Sequence, residues 1–178
     1  RKTKDLIFLD FTDFRFPKYE NKSNVTTEGF ELSVEGNPFY NTIKLGANLT
    51  YQYLRYKPSA KDDDYFLYGD RLPNVPYFFG NLFSELNIDS LFSKFDKLSF
   101  NYNIHYTHNY FLLWESQGIQ NSKTVIPEQW LHNIQVTYAY NNINIGLGIK
   151  NMTNNYAYDN YLAQLPGRSY HLKTTISL

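Results

Sequence analysis

The chain has no cysteine, no net charge and no long hydrophobic run. Without cysteine, disulfide bonds and thiolate metal sites are excluded, and the cellular compartment stays open. No run approaches the roughly 18 apolar residues of a membrane helix, so any contact with a bilayer must come from strands. Because Lys+Arg and Asp+Glu both number 17, no excess charge favours nucleic acid as a partner.

The sequence also lacks any pattern typical of an active site or a metal site. The four histidines have no metal-ligand spacing, and no G-x-S-x-G motif accompanies the serines. The carboxylates of Lys61–Phe66 could attract Ca²⁺, but their spacing is not that of a calcium-binding loop, and a solvated loop explains them better. We therefore predict that the protein is not an enzyme and needs no metal or cofactor.

Aromatic residues are abundant instead, with 17 Tyr and 14 Phe. They take part in a strict alternation, which is clearest in Lys97–Trp114, where apolar side chains occupy nearly all even positions and amides or hydroxyls most odd ones. Side chains alternate between the two faces of a strand, so this pattern predicts one extended strand with an apolar and a polar face.

Seven further segments alternate in the same way or are rich in aromatics. They are Lys4–Phe16, Val25–Glu35, Ile43–Tyr53, Val75–Ile88, Trp130–Tyr140, Ile143–Ile149 and Tyr170–Leu178. Almost nothing has the periodicity of a helix. The predicted fold class is therefore all-β, an antiparallel up-and-down meander of about eight strands.

The predicted connections alternate strictly between short and long. The tight turns are Gly36–Asn41 and Asn141–Asn142, and Asp89–Asp96 is of intermediate length. The long connections are Pro17–Asn24, Lys57–Asn74, Glu115–Gln129 and Met152–Gly167. In a meander this places all short turns at one end of the sheet. Transmembrane β-barrels show this asymmetry, with short periplasmic turns and long extracellular loops.

The composition of the two faces points the same way. The polar faces consist mainly of small amides, hydroxyls and glycine, which suits a crowded aqueous lumen, whereas the apolar faces of the clearest strands carry no charge. Aromatic residues near strand ends resemble the girdles at membrane interfaces: Tyr51, Tyr53, Tyr110, Trp114, Trp130, Tyr138 and Tyr140. The alternative is a soluble β-barrel or β-sandwich that binds a carbohydrate or a lipid.

The C-terminal region resembles the last two strands of TonB-dependent outer-membrane receptors. Leu147–Tyr161 and Leu165–Leu178 contain the motif residues Asn151, Pro166, Gly167 and Arg168. Weaker similarities lie in Lys18–Asn21 with Thr27–Leu32, and, to receptors of the Bacteroidetes group, in Leu72–Pro76 and Tyr110–Ser116. The final Leu178 departs from the aromatic residue that is usual in the family.

The resemblance implies a fold and a function. Such receptors have a plug domain followed by a 22-stranded transmembrane β-barrel, so residues 1–178 would be the C-terminal portion of that barrel, with the plug and earlier strands absent. The whole receptor would bind a scarce nutrient (an iron–siderophore, haem, cobalamin or a glycan) and import it with TonB-transduced energy. The implied partners are outer-membrane lipid, the TonB complex through the plug, and the barrel-assembly machinery through the C-terminal strand.

Candidate ligand contacts lie near the long loops. If the strand from Lys97 continues to Trp114, Phe111, Leu113 and Glu115 point inward near the outer rim. Six loop aromatics are also candidates: Tyr65, Phe66, Tyr68, Tyr156, Tyr158 and Tyr161. The alternative interpretation is that these side chains pack the loops or sit at the membrane interface.

Overall fold

The computed structural model describes residues 2–10, 15–16, 18–40, 42–61, 67–118, 125–159 and 163–177. Its strands are β1 Lys2–Asp10, β2 Lys18–Phe39, β3 Ile43–Tyr56, β4 Phe78–Asp89, β5 Asp96–Thr107, β6 Tyr110–Phe111, β7 Val125–Ile126, β8 Gln129–Tyr140, β9 Ile143–Lys150 and β10 Ser169–Ile176. One short helix, α1, spans Glu115–Gly118. Within the described ranges, no helix is long and apolar enough to cross a membrane.

Eight strands form one antiparallel sheet in the order β1-β2-β3-β4-β5-β8-β9-β10. Each strand pairs with its neighbour along the chain, except that β5 pairs with β8 across the loop that contains β6 and β7. The predicted up-and-down meander is thus confirmed. The register places like faces together: Phe100 lies opposite Val136, and Val136 lies opposite Leu147.

The predicted strand Lys97–Trp114 is wrong in its second part. β5 ends at Thr107, and the next residues leave the sheet after the amide of His108 donates to the carbonyl of Phe78 at 2.9 Å. Tyr110 and Phe111 then pair with β7 in a separate two-stranded sheet. Tyr110 and Trp114 are buried among loop residues, so they are not girdle residues. The alternation of apolar and polar residues continues past Thr107 in the sequence, but there the apolar side chains are buried by loop residues.

The predicted loop Pro17–Asn24 is also wrong. β2 already begins at Lys18, and its first residues pair with β1, with Asp10 opposite Lys18. β3 joins β2 only from Val25 onward, so the β1–β2 hairpin projects past the end of β3. Lys18–Asn24 is polar at almost every position, which leaves no alternation to detect.

The turns at the opposite end of the sheet are short, as expected. β2 continues to Phe39, and the chain reverses at Tyr40, whose φ is 46°. β8 and β9 are joined by Asn141 and Asn142, and Asn141 has a φ of 50°. Asparagine adopts such positive φ angles more readily than most residues, which explains its place in this turn.

The apolar face of the sheet is exposed. Leu147 on β9 and Leu172 on β10 lie opposite each other and are 60% and 71% exposed. Other exposed residues on the same face are Leu45, Leu82, Ile143, Ile145 and Ile176. No second layer among the described residues covers them, as a soluble sandwich would require. The face is therefore built to meet an apolar medium rather than a protein core.

Candidate functional site

The buried core lies at the long-loop end, not on the sheet. One cluster joins the interior of β2 and the end of β3 to the loops that follow β3 and β5, through Val25, Tyr56, Leu67, Leu72 and Trp114. The rings of Tyr56 and Trp114 lie 5.2 Å apart, centroid to centroid. A second cluster contains Tyr110, Leu112 and Ile126, with Tyr158 packed against it. The described parts of the long loops thus pack into a cap over this end of the sheet.

Arg71 connects the loop after β3 to the loop after β5. Its guanidinium donates to Glu115 Oε1 at 2.9 Å, and its backbone amide donates to Glu115 Oε2 at 3.1 Å. The guanidinium also lies over the rings of Tyr77 and Phe111, 4.6 and 4.8 Å from their centroids. Both charged side chains are largely buried, which strengthens the pair relative to an exposed one.

A second contact joins the same two loops one residue further along. Asp70 Oδ2 accepts hydrogen bonds from the backbone amide and the hydroxyl of Ser116, at 3.0 and 2.6 Å. Ser116 lies in the first turn of α1. The adjacent pairs Arg71–Glu115 and Asp70–Ser116 together form a unit that we call the loop clasp.

The charge of Glu115 is stabilised within the loop clasp. Burial acts to raise the pKa of this carboxyl group, but the hydrogen bonds from the side chain and backbone of Arg71, together with the guanidinium charge, outweigh burial and lower it. Glu115 is therefore ionised at neutral pH, and the ion pair with Arg71 is complete there.

The residues predicted to point inward fall in or beside the loop clasp. Phe111 stacks on the guanidinium of Arg71, and Glu115 forms an ion pair with Arg71. Leu113, which lies between Phe111 and Glu115 in the sequence, is half-buried. β5 ends before these three residues, so no continuous strand determines their direction, and their contact with a ligand stays a prediction. Neither Phe111 nor Glu115 is a free lumen side chain.

The six loop aromatics divide into three kinds. Tyr68 and Tyr156 are largely exposed, at 55% and 69%. Tyr158 packs on the second cluster, and its backbone exchanges two hydrogen bonds with the side-chain amide of Gln129. Tyr65, Phe66 and Tyr161 lie outside the described residues, as does most of the carboxylate-rich segment around residues 62–66.

The family motif holds the loop between β9 and β10 in place. Asn151 is buried at a φ of 49°, its amide group bonds both backbone groups of Asn155, and its backbone N–H donates to Asn133 Oδ1 at 3.0 Å. At the other end, Asn154 Oδ1 accepts from the amide of Arg168 at 2.9 Å. A Cβ on Gly167 would lie 2.8 Å from that same oxygen, so a larger residue at this position would require the side chain of Asn154 to shift.

The polar face of the sheet forms a concave wall, and the cavity beside this wall has a volume of about 920 Å³. Side-chain amides line the cavity, among them Asn103 and Asn133, where Asn133 Nδ2 donates to Asn103 Oδ1 at 3.4 Å. Elsewhere on the same polar face, Asn81 donates to Asn48 Oδ1 at 3.0 Å. Lys150 and Lys173 are the cations that line the concavity. Among the described residues, no three His, Asp or Glu side chains are grouped to hold a metal ion. This wall suits a wet lumen.

Sequence reasoning missed Arg71 and Asp70. Both lie in a segment without periodicity, and their partners are 44 and 46 residues away. A lone Arg followed by the Leu72–Pro76 motif gives no local indication of an ion pair. Only the folded loops reveal it.

The exposed apolar face, the polar wall and the loop-length asymmetry together define a segment of a transmembrane β-barrel. Comparison with protein families identifies which one. Residues 1–152 match the family described as "TonB dependent receptor-like, beta-barrel", and the chain belongs to this family of the bacterial outer membrane. A search of curated proteins returns no match.

Solved structures with a similar fold are also receptors of this kind. The ferric preacinetobactin receptor BauA from Acinetobacter baumannii aligns with a TM-score of 0.70 and 19% identity over 95% of this chain. The ferric-catecholate import receptor Fiu from K12 E. coli gives 0.67 and 17% over 98%, and the FrpB iron transporter from Neisseria meningitidis gives 0.65 and 12% over 98%. The chain spans 25%, 24% and 27% of their respective lengths.

Proposed function

We propose that this chain forms part of the wall and the extracellular cap of an outer-membrane receptor that imports a scarce nutrient. The ordered long-loop end carries this proposal. A cap with its own buried clusters and a largely buried ion pair presents a fixed surface, as a binding site for a bulky solute requires. Nothing in the function of a passive barrel wall would need such order.

The orientation follows from barrel physics. The long loops would face the exterior, the short turns would face the periplasm, and the exposed apolar face with Leu147 and Leu172 would contact outer-membrane lipid. The amide-lined concave wall would face the plug and the water of the lumen. In this orientation β10, the strand nearest the C-terminus, would be the one recognised by the barrel-assembly machinery.

The substrate class that we favour is an iron–siderophore complex. The names of all three structural neighbours mention iron or a ferric siderophore. The other possible substrates, haem, cobalamin and a glycan, are supported only by the resemblance to the family. Tyr68 and Tyr156 are the ligand contacts that we propose first, because they are exposed on loops that the clusters hold in place. Phe111, Leu113 and Glu115 would shape the cap rather than touch the ligand.

Energy would come from the TonB complex acting through a plug domain. An uptake assay tests the whole proposal: the complete receptor is expressed in a strain without its own siderophore receptors, and cells receive ⁵⁵Fe-labelled siderophores, haem, cobalamin or an oligosaccharide. We expect uptake of one ferric siderophore that stops when TonB is deleted. Uptake that persists without TonB, or uptake of none of these compounds, would contradict the proposal.

The proposed contacts have a matched test in the same assay. Tyr68→Ala and Tyr156→Ala should raise the concentration needed for half-maximal uptake about tenfold each, since an aromatic contact commonly contributes on the order of 1.4 kcal/mol. Tyr40→Ala is the control, because Tyr40 is even more exposed, at 91%, but lies on a turn at the opposite end of the sheet. Equal effects of all three changes would remove Tyr68 and Tyr156 from the site.

A further inference from the structure

The C-terminal side of the polar wall carries charge of one sign. The strands β8, β9 and β10 contain no Asp or Glu, and their formal cations are Lys150 and Lys173. Both lysines line the large cavity, and no carboxylate among the described residues lines it with them. Within the described part of the chain neither lysine forms an ion pair, whereas Lys44 and Arg71 do. Solvation of a wet lumen by amides and hydroxyls does not explain these two unbalanced charges.

The two lysines lie on either side of one position on the wall. On the polar face of β9, Lys150, Gly148 and Gly146 follow one another from the long-loop end toward the short turn, and Lys173 on β10 lies opposite Gly146. The lysines are therefore four residues apart in register, about 13 Å along the strands, with Gly148 midway. Because each ammonium group sits on a flexible four-carbon stem, both can turn toward a solute above Gly148.

The wall between the lysines leaves room for such a solute. Beyond its chain neighbours, a Cβ on Gly148 would come no closer than 3.8 Å to another atom, and one on Gly146 no closer than 3.5 Å. Packing within the sheet therefore does not require glycine at either position. By contrast, a Cβ on Gly29 or Gly80 would overlap a backbone oxygen of the next strand. The missing side chains on β9 widen the cavity at the point that the two charges flank.

The same cavity extends to the cap. Leu165 and Gly167, in the loop after β9, line its long-loop end. Tyr158 of this loop packs against the second buried cluster of the cap. A solute that leaves the cap and moves along β9 would therefore meet Lys150 first and Lys173 next. This order favours a passing solute, rather than a fixed segment of the plug, as the partner of the lysines.

We propose that Lys150 and Lys173 form an anion-binding site in the lumen wall, which a negatively charged solute occupies between the cap and the periplasm. The inference rests on the proposed transport function and adds the charge of the solute, which would be an iron chelate with net negative charge. A cleft lined by charge of one sign raises the local concentration of the opposite ion. A flexible ammonium group binds an anion as a point charge, without the fixed geometry of a guanidinium.

Labelling of a single cysteine tests the site without knowledge of the solute. Gly148→Cys is introduced into the complete receptor, with any other cysteine replaced by serine, and the space above β9 accommodates the new side chain. Its rate of modification in outer membranes is measured with an anionic reagent, 2-sulfonatoethyl methanethiosulfonate, and with a cationic one, 2-(trimethylammonium)ethyl methanethiosulfonate. The ratio of the two rates cancels any effect of the lysines on the thiol itself.

We expect the ratio of the anionic to the cationic rate to fall at least fivefold when Lys150 and Lys173 are both replaced by Gln. Replacement of both by Arg is the matched control and should preserve the ratio, because it keeps the charge. A ratio that is the same with lysine and with glutamine would overturn the proposal. A thiol that neither reagent modifies would show that the plug covers this part of the wall, and it would overturn the proposal as well.

Uptake of the ⁵⁵Fe-labelled siderophore provides a second readout. Once attached to Gly148→Cys, the anionic reagent should lower the rate of uptake at least fivefold and leave binding at the cell surface unchanged. Unchanged uptake would contradict a site on the path of the solute. If the receptor without substitutions takes up no iron chelate, the proposed function itself fails, and the labelling ratio still decides whether the wall binds anions.

Discussion

The guanidinium of Arg71 and the carboxylate of Glu115 lie 2.9 Å apart and join two loops across 44 residues of sequence. Backbone hydrogen bonds already hold the first loop against β3, with the amide of Leu72 donating to the carbonyl of Leu54 at 3.2 Å, and the amide of Asn74 donates across to the carbonyl of Phe111 at 2.8 Å. The loop clasp adds charge-assisted hydrogen bonds between the two loops in a largely buried setting. Such bonds are directional, so they determine how the two loops meet as well as holding them together.

Glu115→Gln should loosen the loop clasp. The change removes the charge opposite Arg71 while keeping the shape, and hydrogen bonds to charged groups contribute about 1.5–3 kcal/mol. We therefore expect the backbone amide of Arg71, which donates to Glu115, to exchange its hydrogen at least tenfold faster. Hydrogen exchange followed by mass spectrometry measures this directly in the complete receptor.

Glu35→Gln is the matched control for that experiment. Glu35 pairs with Lys44 at 2.8 Å, a similar distance, but both side chains are well exposed. Exposed pairs contribute about 0–1 kcal/mol because water and salt screen them. Exchange near Lys44 should thus change less than threefold, and an effect as large as that of Glu115→Gln would contradict the role that we assign to burial.

Acidification should open the loop clasp. Because the folded structure lowers the pKa of Glu115, its contribution to stability is fully present above the pKa of the unfolded carboxyl group, about 4.3, and is lost as pH falls through the folded pKa. The reporter is Trp114, which is buried in the neighbouring cluster. In receptor labelled with 5-fluorotryptophan, its ¹⁹F resonance should stay constant from pH 7 to 5 and shift below about pH 4.

The same titration in Glu115→Gln separates this residue from other acidic groups. The variant should lack the Glu115 step, and its Trp114 resonance should already be displaced at pH 7. The resonance that is missing from the spectrum of Trp114→Phe is the one that belongs to Trp114. An acid transition of equal size in both proteins would mean that another carboxylate controls the loops.

Leu147→Arg should block membrane assembly, whereas Asn144→Arg should be tolerated. Leu147 lies on the exposed apolar face near the middle of β9, and Asn144 lies on the polar face of the same strand. An arginine facing hydrocarbon at mid-depth costs about 2–4 kcal/mol, but one facing an aqueous lumen does not. The fraction of receptor with heat-modifiable mobility in gel electrophoresis of outer membranes reports assembly. Equal tolerance of both changes would refute the face assignment.

The strands that could be predicted from the sequence are those whose two faces meet different media. β5, β8, β9 and β10 alternate because one side must avoid water and the other must accept it, and this requirement leaves a local period of two. Lys18–Asn24 in the first part of β2 is polar at almost every position and carries no period, so its pairing with β1 could not be predicted.

The cap could not be predicted for a different reason. Tyr110, Leu112 and Trp114 keep the period of a strand, yet each ring or side chain is buried by residues from distant loops. Period indicates which side chains share a face, but it does not indicate what covers that face. The loop clasp likewise depends on partners that are far apart in sequence. Of the long-loop end, the sequence indicates only the family motif at Asn151 and Gly167, and it does so as a resemblance that does not give the hydrogen bonds of these residues.

Gly29→Ala should weaken the pairing of β2 with β3. A Cβ at this position would overlap the backbone carbonyl oxygen of Tyr51 and lie 3.0 Å from Cα of Gln52, and backbone atoms in a ladder cannot move aside as a flexible side chain can. We expect a loss of about 1–3 kcal/mol in the free energy of unfolding, measured by urea denaturation of the receptor in vesicles.

Gly36→Ala on the same strand is the control, because its Cβ would meet nothing within 4 Å. That change should be neutral or stabilise by about 0.4–1 kcal/mol through the unfolded chain. Equal losses for the two variants would mean that the effect comes from glycine flexibility and not from the close approach of the two strands.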